Sequence, residues 1–433
     1  MARIKLAYLG GGSTRGAGTM ASFMHNGADF DGSEVVLIDL DADRLELVRA
    51  LAEKMARARG LDITVTATTD RRAGLRDCDA VLSSFRPGGF AARVHDEKIP
   101  LLHGVIGQET QGPGGMFMAL RAIHVLRDVC ADMAEVCPQA RIYNYTNPVN
   151  IVAQAVTRFS DVPIVSLCEG PIYFQHLIAD AAELDDARIR STMVGLNHGC
   201  WSVEHTYDGE DLIPHLEAAW ERRKHDPTLG VRDRRLLQLA VTMGAIPAEY
   251  FKYYYFETEI LEYYRSRPRS RAEIILDAVP DYWTHYREQL ASDDPVLDPG
   301  RSRGGIHELE LAIDVMDSVV NDKGEVHPVN VPNTGGLLPG LPEECVVEIT
   351  GRCDAGFVTG LPQKALPRHL MGLVEALAAY QMAAADVAWE GTRKDGIRAL
   401  AANPLVRSLA RAEAIYDELA RAHRDHLPAR LLA

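Results

Sequence analysis

Along the first half of the chain, short runs of consecutive apolar residues alternate with longer stretches in which apolar positions recur every three or four residues. The runs "RIKLAYL" (3–9), "SEVVLIDL" (33–40), "DITVTA" (62–67), "CDAVLSSF" (78–85), "ARIYNYT" (140–146) and "VPIVSLC" (162–168) have the length and β-branched content of strands buried on both faces. Strand and helix in alternation predict an α/β fold, a Rossmann-like doubly wound parallel sheet. After "GLNHGCW" (195–201) the pattern turns to long, mixed and mostly helical segments, including "PAEYFKYYYFETEILEYYR" (247–265) and "LMGLVEALAAYQMAAADVAWEG" (370–391). This predicts a nucleotide-binding domain over 1–196 and an α-rich domain over 197–433 for substrate, catalysis and oligomerisation, with the cleft at the C-terminal edge of the sheet. The arginine-rich "RSRPRSR" (265–271) reads as a loop followed by a helix.

Composition narrows the function classes. The 433 residues are 47% hydrophobic and 25% charged, as in an ordinary globular protein. A formal net charge of -15 argues against nucleic acid as a partner, because phosphate backbones would be repelled. A few local arginines can still hold an anionic small molecule. No run has the length of a membrane span, and the apolar start is too short for a signal peptide, so the expected location is cytoplasmic. Seven cysteines, an odd number in a large chain, favour free thiols over a disulfide framework.

The first strand runs into Gly10, Gly11, Gly12 and Ser13, the context in which backbone N–H groups and a helix N-terminus cradle a pyrophosphate. In a G-x-G-x-x-G pattern the last place falls on Arg15, and Gly16 comes one step late. Asp39 closes the second strand, where an acid accepts ribose hydroxyls and disfavours a 2'-phosphate; NAD is therefore the expected dinucleotide. "SLCEGP" puts Cys168 just past a strand end, and His198 follows in "GLNHGCW". Such a pair with open positions suits a divalent ion that also holds two substrate oxygens, with Cys200 as a reserve ligand. In "NYTNPVN" (144–150), Asn147 can pair with sugar hydroxyls, or cap a helix with Pro148 at its first position.

A resemblance joins these pieces. "GGGS", "RPGGFAARVHDEKIPLLHGVIGQETQGPGG" (86–115), "NYTNPVN", "CEGPI", "GLNHGCW", "PAEYFKYYY" and "VNVPNTGGLLPGLPEECVVE" (329–348) resemble, in the same order, glycoside hydrolase family 4, and most of all its 6-phospho-glucosidases. The similarity runs from about residue 4 to about residue 427. It implies NAD and a divalent metal, manganese, in a glycosidase that departs from two-carboxylate hydrolysis. In such enzymes hydride leaves C3 of the sugar, a base removes the acidified C2 proton, the aglycone is eliminated, water adds, and C3 is reduced again. The resemblance implies Cys168 and His198 as metal ligands, Tyr250 as the C2 base and Glu169 as the acid for the leaving oxygen. It further implies Arg86, Glu109, Asn147 and Arg271 as substrate contacts, and a homo-oligomer, dimer or tetramer. Tyr254, one helical turn on, is the alternative base, and Arg93, Asp96 and Glu97 equally suit structural ion pairs.

Two stretches depart from the family pattern. The first loop continues "STRGAGTM", and "RGGIHELELAI" (303–313) carries His307 and Glu308 where relatives tend to have a Tyr-Ser pair. A carboxylate there would repel a phosphate, and Arg15 could compensate. The expected activity is that of a 6-phospho-β-glucosidase, with an unphosphorylated or differently decorated glycoside as the alternative substrate. A hydroxy-acid dehydrogenase or an NAD-binding regulatory protein are the readings from other classes.

Overall fold

A computed structural model describes residues 2–303 and 310–432. The six expected strands are β1 (Lys5–Leu9), β2 (Glu34–Ile38), β3 (Thr64–Thr68), β4 (Ala80–Ser83), β5 (Arg141–Asn144) and β6 (Ile164–Ser166). They pair in parallel in the order β3-β2-β1-β4-β5-β6. Chain direction across the sheet reverses between β1 and β4. That switch point opens a crevice at the C-terminal strand ends, directly beyond Leu9 and Ser83.

The sheet does not stop at β6. The second half adds β7 (Ile189–Leu196), β8 (Gly199–Tyr207), β9 (Glu210–Asp211), β10 (Glu325–Pro332), β11 (Val346–Asp354) and β12 (Phe357–Gly360). Twelve strands form one sheet, continuing β6-β10-β11-β7-β8-β9 with β12 paired to β11. All the added pairings are antiparallel. The line drawn between 196 and 197 therefore falls inside the β7–β8 hairpin. The helix-dominated pattern of the second half hides β10 and β11 because Pro328, Pro332 and Gly351 interrupt them, residues that weaken a strand signal.

Helices cover the sheet. The helix Gly112–Val136 is buried along most of its N-terminal half and packs against the helices Val149–Phe159 and Arg368–Trp389. Among the described residues, Arg368–Trp389 is the one helix long and apolar enough to cross a bilayer. Its Leu370, Val374, Leu377 and Ala384 are core residues within the protein.

A fully buried ion pair locks the first half to the C-terminus. Arg121 donates to Asp96 through Nη1 at 3.0 Å and Nη2 at 2.6 Å, and His423 Nε2 lies 2.9 Å from the same carboxylate. Arg121 Nε also donates to the Pro87 carbonyl. Asp96 thus has the structural role that was one of its two expectations. Replacing Arg121 by Met strands a buried carboxylate, so R121M is expected to lose about 3–5 kcal/mol of stability. Urea unfolding checks this, and a loss below about 1 kcal/mol would mean that the pair is not holding the fold.

Candidate active site

The glycine loop sits at the switch point because its backbone permits no side chains there. Gly10 has φ +94°, and a Cβ on it would lie 2.2 Å from the Ser84 carbonyl oxygen. A Cβ on Gly16 would lie 2.1 Å from the Gly11 carbonyl oxygen. Gly16 therefore supplies the close loop-to-helix approach of the pattern's last glycine, one position late, and opens the helix Gly16–His25. Gly10, Gly12, Ser13, Asp39, Arg86 and Glu109 line one cleft of roughly 620 Å³, bordered also by Tyr145, Asn147 and Arg303. Gly11 packs behind it on Leu37. Burial pushes the Asp39 carboxyl up, while it accepts from the Leu40 amide at 2.7 Å.

Arginines surround Glu109. Its Oε2 lies 2.5 Å from Arg86 Nη2 and 2.7 Å from Arg93 Nη1, and Arg93 also holds Glu97 at 2.6 Å. Burial alone would raise the Glu109 carboxyl, but Arg86, Arg93 and Arg303 hold it at about 2. Arg303 was not singled out from the sequence, although the "RGG" containing it was. It stands over the Phe90 ring at 4.8 Å, and burial and neighbouring Arg15 push it down to about 10. Its Nε is buried and makes no hydrogen bond among the described residues. His307 and Glu308 lie outside the described residues.

Cys168 and His198 meet. Cys168 follows β6 and its Sγ accepts from the Gly170 amide at 3.3 Å. His198 forms, with Asn197, the two-residue turn of the β7–β8 hairpin, with φ +61°. Sγ and His198 Nε2 are 3.5 Å apart. Two donors that close could be held by a single divalent ion. The donor chemistry agrees. Thr110 Oγ1 spends its proton on Gln108 Oε1 and lies 3.0 Å from His198 Nδ1, so Nδ1 carries the imidazole hydrogen and Nε2 presents a lone pair toward Cys168. Burial pushes His198 down to about 3, which keeps it neutral, and pushes the Cys168 thiol up to about 12. Only a cation would make that thiol a thiolate at neutral pH. Cys200 is fully buried beside Glu348 rather than at the pair's open side. Burial pushes the Glu348 carboxyl up to about 7.

The other expected residues divide. The Tyr250 ring stacks on the His198 imidazole, with centroids 3.6 Å apart and planes 6° apart. Its phenol is pushed well above 10 by burial and then by Cys168 and Glu109. Tyr254 is turned away and donates to Gln111 Oε1 at 2.6 Å. Tyr253 packs in the core against the Tyr264 hydroxyl. Glu169 stands at the N-terminal end of the helix Gly170–Ala182. Its charge acts on Tyr145, whose phenol is pushed far up, first by burial. Asn147 borders the cleft but does not cap the next helix: Pro148 takes the cap place, the helix starts at Val149, and the Asn147–Pro148 bond is cis. Arg271 is not brought to the cleft. The Ser270 capping box with Glu273 sets it at the first position of the helix Arg271–Ala291, exposed, while the neighbouring Ala272 amide donates to Glu97.

Residues 5–184 match the model of family 4 glycosyl hydrolases, and residues 193–406 match that of the family's C-terminal domain. A probable 6-phospho-beta-glucosidase of Bacillus subtilis is 31% identical, over 98% of this chain and 97% of its own length. Among solved structures, the 6-phospho-beta glucosidase of Thermotoga maritima with NAD and glucose-6-phosphate has a TM-score of 0.85 at 24% identity, covering 98% of this chain and 99% of that one. A 6-phospho-alpha-glucosidase from gut microorganisms, with NAD and Mn2+, has the same TM-score, identity and coverage. The two structures speak for the fold, whereas the family models together span most of the sequence, and on that ground the chain belongs to glycosyl hydrolase family 4.

Proposed function

We propose that the protein is a 6-phospho-β-glucosidase that uses NAD and a divalent cation, Mn2+, on a phosphorylated small-molecule glucoside, as a cytoplasmic homo-oligomer. The observation that carries this reading is the Cys168–His198 pair at 3.5 Å with Tyr250 stacked on the imidazole, next to a cleft that also contains the glycine loop. The name of the Bacillus subtilis relative supports the substrate class. The NAD, Mn2+ and glucose-6-phosphate held by the similar structures support the cofactors and the phosphate.

When bound, NAD takes hydride from C3 of the sugar and later returns it, while the divalent cation withdraws electrons from the C2 and C3 oxygens. The loop Gly10–Ser13 and the following helix hold the pyrophosphate on backbone N–H groups, and Asp39 accepts the ribose hydroxyls. With C3 at the ketone level the C2 proton is acidic, and Tyr250 removes it. Burial opposes ionisation of that phenol, so it needs the positive charge of the cation site beside it. Glu169 hands a proton to the aglycone oxygen as the C1–O bond breaks, then takes one from the water that adds at C1. Once its proton has exchanged with solvent, Tyr250 gives a proton back to C2, and the net reaction is hydrolysis. Arg86 and Arg93 are engaged by Glu109. Among the described residues Arg303 Nε makes no hydrogen bond and is a donor for a substrate anion, and Asn147 and Glu109 remain for sugar hydroxyls.

Cys168→Ser should weaken Mn2+ binding by more than about a hundredfold, read from the electron paramagnetic resonance of free Mn2+. Unchanged affinity would refute the ligand assignment. In deuterated water with NAD and Mn2+, the parent should release glucose 6-phosphate deuterated at C2 from a 6-phospho-β-glucoside, and not from the unphosphorylated glucoside. Hydrolysis without deuterium would point to direct displacement instead. Tyr250→Phe should abolish the C2 exchange and Tyr254→Phe should keep it; the reverse result would move the base to Tyr254.

A further inference from the structure

Glu348 lies on β11 and is 1% exposed. Its Oε1 accepts from Asn197 Nδ2 and from Asn330 Nδ2, each at 3.1 Å. Asn330 Nδ2 also donates to the Ser166 carbonyl, two residues before Cys168, and Asn197 directly precedes His198. The Asn197 side chain is also near enough to Cys168 to favour its ionised form. Backbone register repeats the same connections: Asn330 pairs with both Ser166 and Glu348, and Glu348 pairs with Gly195. One carboxylate therefore joins the strand end that presents Cys168 to the hairpin that presents His198.

Hydrogen bonding from two neutral amides does not balance a buried charge. Among the described residues no Lys, Arg or His pairs with Glu348, and its Oε2 has no N–H or O–H partner. A buried carboxylate in that state is costly unless a positive charge comes near it. A divalent ion held by one thiolate and one neutral imidazole keeps a single positive charge. The two deficits are complementary, and they lie on either side of Asn197.

We propose that Glu348 is the buried counter-charge and tether of the Cys168–His198 cation site, a positioning residue that raises cation affinity without being a ligand. This rests on the reading of Cys168 and His198 as cation ligands. It accounts for a charged residue on a strand whose neighbouring buried positions, Val346 on the same face and Val347 and Ile349 on the other, are apolar.

The test is Mn2+ binding to the whole protein without substrate, followed by the resonance of free Mn2+. Glu348→Gln keeps the shape and removes the charge. It should weaken Mn2+ binding about 10–100-fold, while NAD affinity, read by calorimetry, and the unfolding temperature in chelator stay at or above the parent values. A merely structural role would lower the latter two instead. Glu348→Asp, which keeps the charge, should bind Mn2+ more tightly than Glu348→Gln. Affinity of Glu348→Gln within about twofold of the parent overturns the proposal. Should that variant not fold, Asn330→Ser, which removes one of the amides that hold Glu348, should weaken Mn2+ binding, and parent affinity there overturns it as well. A parent protein that does not bind Mn2+ overturns the ligand assignment and this role with it.

Discussion

The candidate site of this protein rests on two atoms from beyond the ends of different strands being kept 3.5 Å apart, Cys168 Sγ and His198 Nε2. Neither residue could hold that distance by itself. Cys168 ends a parallel strand of the nucleotide-binding sheet, and His198 tips a hairpin that would otherwise be free to move relative to it. The antiparallel pair β10–β11 fills the gap between them, joined to β6 at Asn330–Ser166 and to β7 at Glu348–Gly195, and the segments beyond the two strand ends bring the side chains together over it. Strand spacing is among the least adjustable distances in a protein, about 4.8 Å per strand in the hydrogen-bonding direction. A site built across four strands therefore inherits a rigid frame, and the Thr110 contact then fixes the imidazole tautomer within it.

Electrostatics complete the frame. A chain with a net charge of -15 nonetheless gathers Arg86, Arg93 and Arg303 around Glu109 in one cleft. Glu109 keeps this cluster from being purely repulsive. Without it three guanidinium groups would share a buried space with only Glu97, on Arg93, to offset them. Tyr250 shows the opposite balance. Burial, Cys168, Glu109 and Glu249 disfavour its ionisation and Arg93 favours it. Under the proposed reading, the phenol becomes a base when positive charge arrives at His198, and proton abstraction is conditional on an occupied cation site.

The parallel half of the fold was legible in the residues because five buried strands and the half-exposed edge strand β3 produce six short runs of apolar and β-branched residues, and the glycine loop was legible because tight backbone approach leaves glycine as the one residue that fits. The late Gly16 looked like a flaw in the pattern, yet its contact with the Gly11 carbonyl shows that only its numbering is shifted. The pair β10–β11 was not legible: prolines and a glycine break its pattern, and its polar residues Asn330 and Glu348 point into the core. Arg271 is exposed at the first position of its helix and is not among the residues lining the cleft, a placement that a motif, which records neighbours along the chain, does not convey. Arg303 and Thr110 sit inside stretches that stand out in the sequence, yet their individual roles do not, since their partners lie in sequence-distant segments.

A doubly wound sheet with a glycine loop serves many dehydrogenases, and up to β6 nothing in this architecture separates a hydrolase from one of them. What separates them is the antiparallel extension. It brings His198 against Cys168, sets Tyr250 flat on that imidazole and buries Glu348 behind both. A redox cofactor beside a cation site and a phenol can oxidise a sugar carbon, use the ketone so formed to loosen the neighbouring C–H bond, and then undo the oxidation. The same cofactor beside the cleft alone could only oxidise and release. The added strands thus turn a redox-binding fold toward hydrolysis by placing a proton acceptor next to the carbon that neighbours the oxidised one.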